Sequence, residues 1–180
     1  LPDTGRPLRL WQQQALDQYV ERGEPLDFMV TATPGAGKTT FALTFARWLL
    51  ERRIVHRVIV VVPTDHLRSQ WAEAANDLGV VLDPTLSNDT GALSPDFHGY
   101  VATYAQVALK PMLHRRRTEV KATLVILDEV HHAGDGLTWG DGVREAFDPA
   151  ARRLCLTGTP FRTSEEETIP FVRYEPDENG

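Results

Sequence analysis

Two short segments of this chain carry side chains that could hold a nucleoside triphosphate together with a metal ion. The first, residues 32–39, reads Ala-Thr-Pro-Gly-Ala-Gly-Lys-Thr and follows an apolar run at residues 28–30. The second, residues 128–131, reads Asp-Glu-Val-His and follows an apolar run at residues 124–127. The first is typical of a loop that wraps phosphates, and the second of a strand end that holds magnesium and a water molecule. Together they predict hydrolysis of a nucleoside triphosphate.

In the first segment, Gly35 and Gly37 allow the backbone to curl so that its N–H groups point inward, toward phosphate oxygens. A helix that begins near Lys38 directs the positive end of its dipole to the same place. We expect Lys38 to reach the β- and γ-phosphates and the Thr39 hydroxyl to bind magnesium. The usual pattern opens with Gly, whereas this chain has Ala32, at a position that only begins the turn. The predicted nucleotide-binding residues of this segment are Thr33, Pro34, Gly35, Ala36, Gly37, Lys38, Thr39 and Thr40.

The second segment places two adjacent carboxylates at the end of a buried strand. We expect Asp128 to hold the magnesium ion and Glu129 to orient and deprotonate the attacking water. An Asp-Glu pair alone would be an ordinary acidic loop start, and the phosphate loop elsewhere in the chain favours the catalytic interpretation. His131 and His132 could suggest zinc, but no Cys or second His pair stands at ligand spacing. The predicted catalytic residues are therefore Lys38, Asp128 and Glu129.

Alternating helical and extended patterns position these segments. Apolar residues recur at helical spacing in residues 8–20, 39–53 and 65–78. Extended apolar runs occupy residues 27–32, 58–62, 99–103, 123–128 and 153–157. Weaker patterns predict a short strand at residues 80–82, a mostly helical segment at 104–117, a glycine-rich loop at 134–142 and a short helix at 143–147.

Strands that alternate with helices predict an α/β domain in three layers, a mostly parallel sheet with helices on both faces. In such sheets ligands bind at the carboxyl ends of the strands. Residues 33–39, 63–64, 128–129 and 157–160, together with Thr103, all lie just beyond the end of a predicted strand. We therefore expect the functional site at that edge of the sheet.

Length and composition are those of one ordinary globular domain. The chain has 180 residues, 42% of them hydrophobic and 24% charged, and a net charge of -6. It contains no apolar run near the roughly 18 residues that cross a bilayer and no basic-then-apolar leader, and its single Cys155 cannot form an internal disulfide, so we expect a cytoplasmic protein. The start at Leu1 indicates an excised or processed piece. The basic run at residues 114–117 fits either a solvated helix end or a local nucleic-acid patch.

Six segments, in order along residues 8–162, resemble the superfamily 2 helicases and translocases of the DEAD/DEAH-box group. The resemblance is closest to the group of type III restriction motors, DNA-repair translocases and phage-type helicases. The matching segments are Leu-Arg-Leu-Trp-Gln at 8–12, the phosphate loop at 32–39 (motif I), Val-Pro-Thr-Asp-His-Leu at 62–67 (motif Ia), Thr-Tyr-Ala-Gln at 103–106 (motif Ib), Asp-Glu-Val-His at 128–131 (motif II) and Leu-Thr-Gly-Thr-Pro at 156–160 (motif III).

This resemblance implies a RecA-like P-loop fold for residues 1–163, with residues 164–180 as an exposed tail or the start of a linker. It also implies ATP and Mg²⁺ as cofactors and nucleic acid as a partner, DNA more than RNA. Family members have a second RecA-like domain whose arginines complete the ATP site. Residues after 162 offer no second sheet, so we expect the isolated chain to hydrolyse ATP very slowly.

The resemblance also assigns individual roles. Gln12 matches the glutamine that reads adenine, although Gln13 and Gln14 are its neighbours in the sequence. Thr64, Arg68 and Thr103 match nucleic-acid backbone contacts, but Thr64 could equally be a helix cap and Thr103 a turn at the end of a strand. Trp11 could pack near the base or belong to the core. The residues that would link hydrolysis to strand binding are Thr157, Thr159 and His131.

Two other function classes remain open at this point. A phosphate-loop kinase or switch NTPase would need an acceptor site or guanine-reading residues, and no Asn-Lys-x-Asp segment is present, whereas Gln12 favours adenine. A module that binds nucleotide or nucleic acid without turnover is the non-catalytic alternative. The intact Lys38, Thr39, Asp128 and Glu129 favour a working nucleotide site.

Overall fold

The computed structural model describes residues 10–31, 37–131 and 137–158, and the side chains of 137 and 138 are not part of that description. Its strands are β1 (Asp27–Thr31), β2 (Arg57–Val62), β3 (Leu82–Asp83), β4 (Gly99–Thr103), β5 (Thr123–Leu127) and β6 (Arg152–Thr157). Its helices are α1 (Leu10–Glu21), α2 (Lys38–Glu51), α3 (Asp65–Asp77), α4 (Tyr104–Leu109), α5 (Pro111–Glu119) and α6 (Leu137–Phe147).

The six strands form one parallel sheet in the order β1-β6-β5-β2-β4-β3. The continuous β-branched run in β2 explains its central place, because all six of its residues are buried. Its side chains alternate: Val58, Val60 and Val62 join one core cluster, while Ile59 and Val61 join another. The sheet therefore separates two apolar cores.

Helices cover both faces of the sheet, which confirms the predicted three-layer α/β fold. The face of α1, α2 and α3 contributes Leu16, Phe41 and Trp71 to the first core. The face of α4 and α6 contributes Tyr104 and Phe147 to the second. No helix within the described residues is long and apolar enough to cross a membrane.

One prediction about secondary structure was wrong, and another was confirmed with a break that it did not specify. The glycine-rich loop predicted at residues 134–142 gives way to helix from Leu137 onward, and residues 134–136 lie outside the described part of the chain. Gly142 lies inside this helix because α6 packs closely on α4: a Cβ there would sit 3.1 Å from the Ala108 Cα. The helix predicted over residues 104–117 divides at Lys110, since Pro111 cannot continue it and begins α5 instead.

The basic run at residues 114–117 contains both buried and exposed side chains. His114 and Arg117 are buried, with 0% and 6% of their surface exposed, whereas Arg116 is exposed. Residues three apart share one side of a helix, and that side of α5 faces the interior. Neither interpretation offered from the sequence, a solvated end or a nucleic-acid patch, describes these two side chains. Cys155 is buried, and burial raises the pKa of its thiol to about 12.

Candidate nucleotide site

Three neighbouring strands bring the sequence motifs to one edge. Strand β6 lies between β1 and β5, with Thr31 opposite Thr157 and Leu127 opposite Cys155. Because all three strands are parallel, the segments that follow them emerge at the same edge of the sheet. That edge holds the first turn of α2, the residues after β5 and Gly158.

Lys38 and Glu129 meet directly, although 91 positions separate them. The Lys38 Nζ donates to the Glu129 Oε1 at 2.7 Å, and the two side chains are 11% and 27% exposed. A pair this sheltered from water is screened less than a surface salt bridge. The structure therefore brings together two of the three predicted catalytic residues.

Glu129 is held in an unusual backbone conformation. Its φ is +46°, in the left-handed region that side-chain-bearing residues rarely adopt. Its Oε2 lies 3.4 Å from the Gly158 backbone N–H and 3.5 Å from the His131 Nδ1. Burial raises the pKa of this carboxyl, but the hydrogen bond and charge of Lys38, with the Gly158 N–H, outweigh it and lower the pKa below its usual range. Glu129 is consequently ionised and ready to accept a proton.

Asp128 has the opposite electrostatic balance. Its backbone N–H continues the sheet by donating to the Val61 carbonyl at 2.9 Å, so its position follows from the register of β5 on β2. Burial raises the pKa of its carboxyl and the charge of Glu129 adds to this, while the Trp71 N–H and the charge of Lys38 oppose it. Lys38 thus stabilises the ionised carboxylate of Glu129 more completely than that of Asp128.

The donor set around Asp128 fits magnesium. A half-buried carboxylate with a raised pKa is the kind of group that a divalent cation would stabilise in its charged form. The half-buried Thr39, directly after Lys38 in the first turn of α2, supplies the hydroxyl expected of the second ligand. Mg²⁺ prefers oxygen ligands and takes the remainder from phosphates and water, so two protein oxygens suffice.

The described end of the phosphate loop has the geometry that its glycine predicts. Gly37 has φ +88° and forms the N-cap of α2, a conformation in which a Cβ would be strained. Lys38, Thr39 and Thr40 form the first turn of the helix, so its N-terminus points into this edge. The four preceding predicted residues, Thr33, Pro34, Gly35 and Ala36, lie outside the described residues.

Gln12 reaches the same place from α1. Its Nε2 donates to the Gly37 carbonyl at 2.9 Å, and only 3% of the residue is exposed. The predicted contact with adenine remains a prediction, and the structure adds a second role, support of the phosphate loop. Trp11 packs on Phe41 with ring centroids 5.7 Å apart, which favours the core interpretation of this tryptophan.

The predicted nucleic-acid contacts lie at the carboxyl ends of β2 and β4. Thr64 is the N-cap of α3, with its hydroxyl 3.2 Å from the His66 Nδ1. Thr103 caps α4, and its hydroxyl accepts from the Gln106 N–H at 3.1 Å. Thr64 thus occupies the predicted helix-cap position, although its side chain makes no cap hydrogen bond, and Thr103 caps a helix instead of only forming a turn. Contact with phosphate remains a prediction for both.

Arg68 has a structural role that the sequence did not indicate. Its Nε donates to the Val101 carbonyl at 2.9 Å, and its Nη2 donates to the Leu86 carbonyl at the same distance. The guanidinium thereby ties α3 to β4 and to the loop after β3. A phosphate would have to share this group with two backbone acceptors.

Of the three predicted coupling residues, two are described. Thr157 is fully buried at the end of β6, next to the Gly158 N–H that faces Glu129. His131 lies beside the same carboxylate. Thr159 lies outside the described residues. The segment after β6 thus approaches the predicted base through its backbone.

No pattern in the sequence indicates that Trp71 and Tyr104 belong to this site. The Trp71 Nε1 donates to the Asp128 Oδ2 at 3.2 Å, and the Tyr104 hydroxyl donates to the Asp128 carbonyl at 2.7 Å. The helical pattern of residues 65–78 indicates only a core position for Trp71, and Tyr104 stands within the segment that resembles motif Ib. The one available signal is chemical: a buried Trp or Tyr usually finds an acceptor for its polar atom.

Comparison with known families agrees with this geometry. The family described as "Type III restriction enzyme, res subunit" matches residues 6–162. The chain belongs to this family. It is 56% identical over 174 residues to an uncharacterized protein of Mycobacterium tuberculosis (strain CDC 1551 / Oshkosh), covering 97% of this chain and 29% of that protein. An uncharacterized protein of Mycobacterium leprae (strain TN) is 53% identical over 178 residues, with 99% and 30% covered. The chain thus spans about three-tenths of the length of these curated relatives.

Solved structures show the same fold. The SWI2/SNF2 ATPase core of Sulfolobus solfataricus in complex with double-stranded DNA superposes with a TM-score of 0.66 at 18% identity, covering 86% of this chain and 32% of that one. The Hef helicase domain of Pyrococcus furiosus gives 0.64 at 26% identity, covering 88% and 34%. This member of the Type III restriction family is a RecA-like domain of the superfamily 2 helicase type.

Proposed function

We propose that this domain binds ATP and Mg²⁺ and hydrolyses ATP as the first motor domain of a helicase or DNA translocase, with residues 1–163 forming the domain. The observation that carries the proposal is the convergence of Lys38, Asp128 and Glu129 at one edge of the sheet. A cationic amine, a half-buried carboxylate and an ionised base are the groups that phosphoryl transfer to water requires.

The Lys38–Glu129 contact suggests how nucleotide prepares the base. Lys38 donates to the Glu129 Oε1 at 2.7 Å, and the γ-phosphate would compete for the same amine. Once Lys38 turns toward phosphate, Glu129 loses the partner that lowers its pKa and becomes the stronger base. Bound Mg²⁺, held by Thr39 and Asp128, would neutralise charge on the phosphates.

The nucleic-acid part of the proposal rests on position. Thr64 follows β2, and Thr103 is the last residue of β4, where it pairs with Val62 of β2. The two hydroxyls and Arg68 therefore occupy one continuous stretch of the same edge. Hydroxyls, guanidinium groups and helix N-termini are common phosphate donors, and they bind locally whatever the net charge. Two structural neighbours, the SWI2/SNF2 core and a Type ISP restriction-modification enzyme, were solved with DNA or a DNA substrate mimic, which supports DNA as the partner.

The proposal assigns full activity to the complete polypeptide. Arginines from a second domain are worth about 10³ to 10⁵ in rate in related phosphate-loop enzymes. The relatives are more than three times as long as the part this chain matches, which leaves room for such a domain. The isolated chain is therefore expected to bind Mg²⁺ and ATP with little turnover.

Glu129→Gln tests the assigned base, measured in the complete polypeptide with saturating ATP, Mg²⁺ and DNA. The amide cannot take the proton, so we expect steady-state hydrolysis to fall by about 10²- to 10⁴-fold. Binding of a fluorescent ATP analogue should persist, because Lys38 and the loop are intact. The exposed Glu145 supplies the matched control, and Glu145→Gln should hydrolyse at the parent rate.

Equal hydrolysis by the Glu129→Gln variant and the parent would refute the assigned base. An ATPase that DNA does not stimulate would refute the motor function while leaving the nucleotide site intact. Binding of ATP with no hydrolysis in the complete polypeptide would favour the alternative of a module without turnover.

A further inference from the structure

Asp128 accepts a hydrogen bond from one aromatic side chain on each face of the sheet. Trp71 belongs to α3 and to the first core, and its indole N–H donates to the carboxylate Oδ2 at 3.2 Å. Tyr104 belongs to α4 and to the second core, and its hydroxyl donates to the Asp128 backbone carbonyl at 2.7 Å. Side chain and main chain of the same residue are thus fixed from opposite sides.

Both donors are sheltered from solvent. Trp71 is 3% exposed and Tyr104 is fully buried, so water cannot readily replace either hydrogen bond if it is lost. Packing also restrains both rings: Trp71 lies within the first core, and Tyr104 stacks on Trp139 with centroids 6.4 Å apart and an interplanar angle of 15°. A donor held rigidly in this way fixes the direction in which the Asp128 carboxylate can point.

We propose that Trp71 and Tyr104 are positioning residues that hold Asp128 in the orientation needed for Mg²⁺. The inference rests on the proposed function, because it requires Asp128 to be the carboxylate that binds the metal. Partners that orient a metal-binding side chain typically contribute about 10- to 100-fold to metal affinity or activity when they are removed. Trp71 contacts the carboxylate itself and should contribute more than Tyr104, which acts through the backbone.

The position of both residues gives the arrangement a further consequence. Helix α3 begins beside Thr64, and α4 begins beside Thr103, the two predicted phosphate contacts. A ligand bound at the start of α3 is therefore connected to Asp128 through that helix and the Trp71 hydrogen bond. A ligand bound at the start of α4 is connected through Tyr104, the first residue of that helix. Neither Lys38 nor Glu129 has such a link within the described residues.

The test measures Mn²⁺ binding by electron paramagnetic resonance, in the complete polypeptide with a non-hydrolysable ATP analogue. Trp71→Phe keeps an aromatic ring in the core and removes the N–H donor. We expect Mn²⁺ affinity to fall about 10-fold. Trp48→Phe is the matched control: Trp48 lies on α2 against Arg52, with no contact to Asp128, and its replacement should leave Mn²⁺ affinity unchanged.

A second measurement separates a positioning role from a general loss of structure in the site. Affinity for the analogue without metal should be unchanged in Trp71→Phe, since Asp128 acts on the nucleotide through the metal. A merely structural role would lower metal-free and metal-dependent binding together. Tyr104→Phe removes a single hydroxyl and should fold even if the Trp71 variant does not. We expect it to lower Mn²⁺ affinity about threefold, the size of one ordinary hydrogen bond.

Parent-like Mn²⁺ affinity in Trp71→Phe would overturn the proposal, as would a loss shared equally by the Trp48→Phe control. Should Trp71→Phe fail to fold, parent-like Mn²⁺ affinity in Tyr104→Phe would overturn it. These failures would leave DNA-stimulated hydrolysis by the parent untouched. Conversely, a parent that binds Mn²⁺ with the analogue but never hydrolyses ATP would refute the proposed function while the positioning of Asp128 still held.

Discussion

The polar side chains buried on the two faces of the sheet differ in the groups to which they hydrogen-bond. On the face of α1, α2 and α3, the core is apolar, and the polar groups of Gln12, Lys38 and Trp71 converge on the strand ends. On the face of α4, α5 and α6, Tyr104 donates to Asp128, and the other buried polar groups bond mainly to one another and to a loop. The difference separates residues that serve a ligand from residues that hold the fold.

The second face contains a chain of buried hydrogen bonds. The Asn88 Nδ2 donates to the Gln106 carbonyl, so its Oδ1 is the acceptor for the His114 Nε2 at 2.8 Å. The His114 Nδ1 must then accept from the Tyr100 hydroxyl at 2.7 Å, and the imidazole is neutral. The Arg117 Nη2 donates to backbone carbonyls of the same loop. This network, Asn88, Tyr100, His114 and Arg117, fastens the long segment between β3 and β4 onto α5.

The comparison predicts that variants of the two faces separate binding from stability. The largest effect should follow from Lys38→Met. Removing the amine deprives the phosphates of about two charge-assisted hydrogen bonds, so we expect ATP affinity to fall about 100-fold. The melting temperature should change little, because the partly exposed Glu129 carboxylate can bind water in place of Lys38. Nucleotide titration and thermal unfolding, with the exposed Lys121→Met as control, check both statements.

Acid should act mainly through the second face. Burial, together with the nearby Arg117 charge, lowers the pKa of His114 to about 4, while Tyr100, with a pKa raised to about 12 by burial, is neutral at these pH values. In the unfolded chain the imidazole regains its ordinary pKa of about 6.5, so between pH 6.5 and 4 the unfolded state binds more protons. The free energy of unfolding should therefore decrease as pH falls through this window, by up to about 3 kcal/mol.

Urea unfolding at pH 7 and pH 5 measures this loss. His114→Gln should flatten the pH dependence, whereas His56→Gln, at an exposed position, should keep the slope of the parent. A parent-like slope in the His114 variant would place the acid-sensitive group elsewhere.

A smaller loss of stability should follow from Tyr100→Phe, which leaves the His114 Nδ1 without its donor. Leaving one buried acceptor unsatisfied costs about 1 to 3 kcal/mol. Tyr19→Phe is the matched change on the other face, where the hydroxyl of the buried Tyr19 accepts from the Arg152 Nε at 3.2 Å and the half-buried Arg152 side chain can turn to water instead. We expect Tyr19→Phe to cost less in urea unfolding, and ATP affinity to be unchanged in both variants. A larger loss in Tyr19→Phe would contradict the contrast between the two faces.

The same contrast explains what the sequence could predict. The β-branched run of β2 and the Gly-Lys-Thr of the phosphate loop are local patterns, so the sheet and the Lys38 side of the site followed from them. The polar network could not be predicted, because the burial of His114 and Arg117 depends on which side of α5 meets the loop. The early start of α6 was missed for a similar reason. Its glycines are typical of a loop, and only the close approach of Ala108 shows why Gly142 is helical.

The smallest effect concerns Gln12, whose two roles lie on the first face. Its amide donates to the Gly37 carbonyl, and by resemblance it also reads adenine. Gln12→Ala should lower ATP affinity several-fold, about the strength of one hydrogen bond, and should narrow the preference for ATP over GTP. Gln13→Ala is the control, since the exposed Gln13 amide donates to the Asp17 Oδ1 within α1.

Titration of both nucleotides with both variants distinguishes the roles. An equal fall in affinity for ATP and for GTP in Gln12→Ala would leave Gln12 with one role, the support of Gly37. A loosened phosphate loop weakens the binding of every nucleotide alike. A loss of ATP preference in Gln13→Ala instead would move the adenine contact one residue along the chain. Since Gln12 is buried against the start of α2, we expect the loss at Gln12.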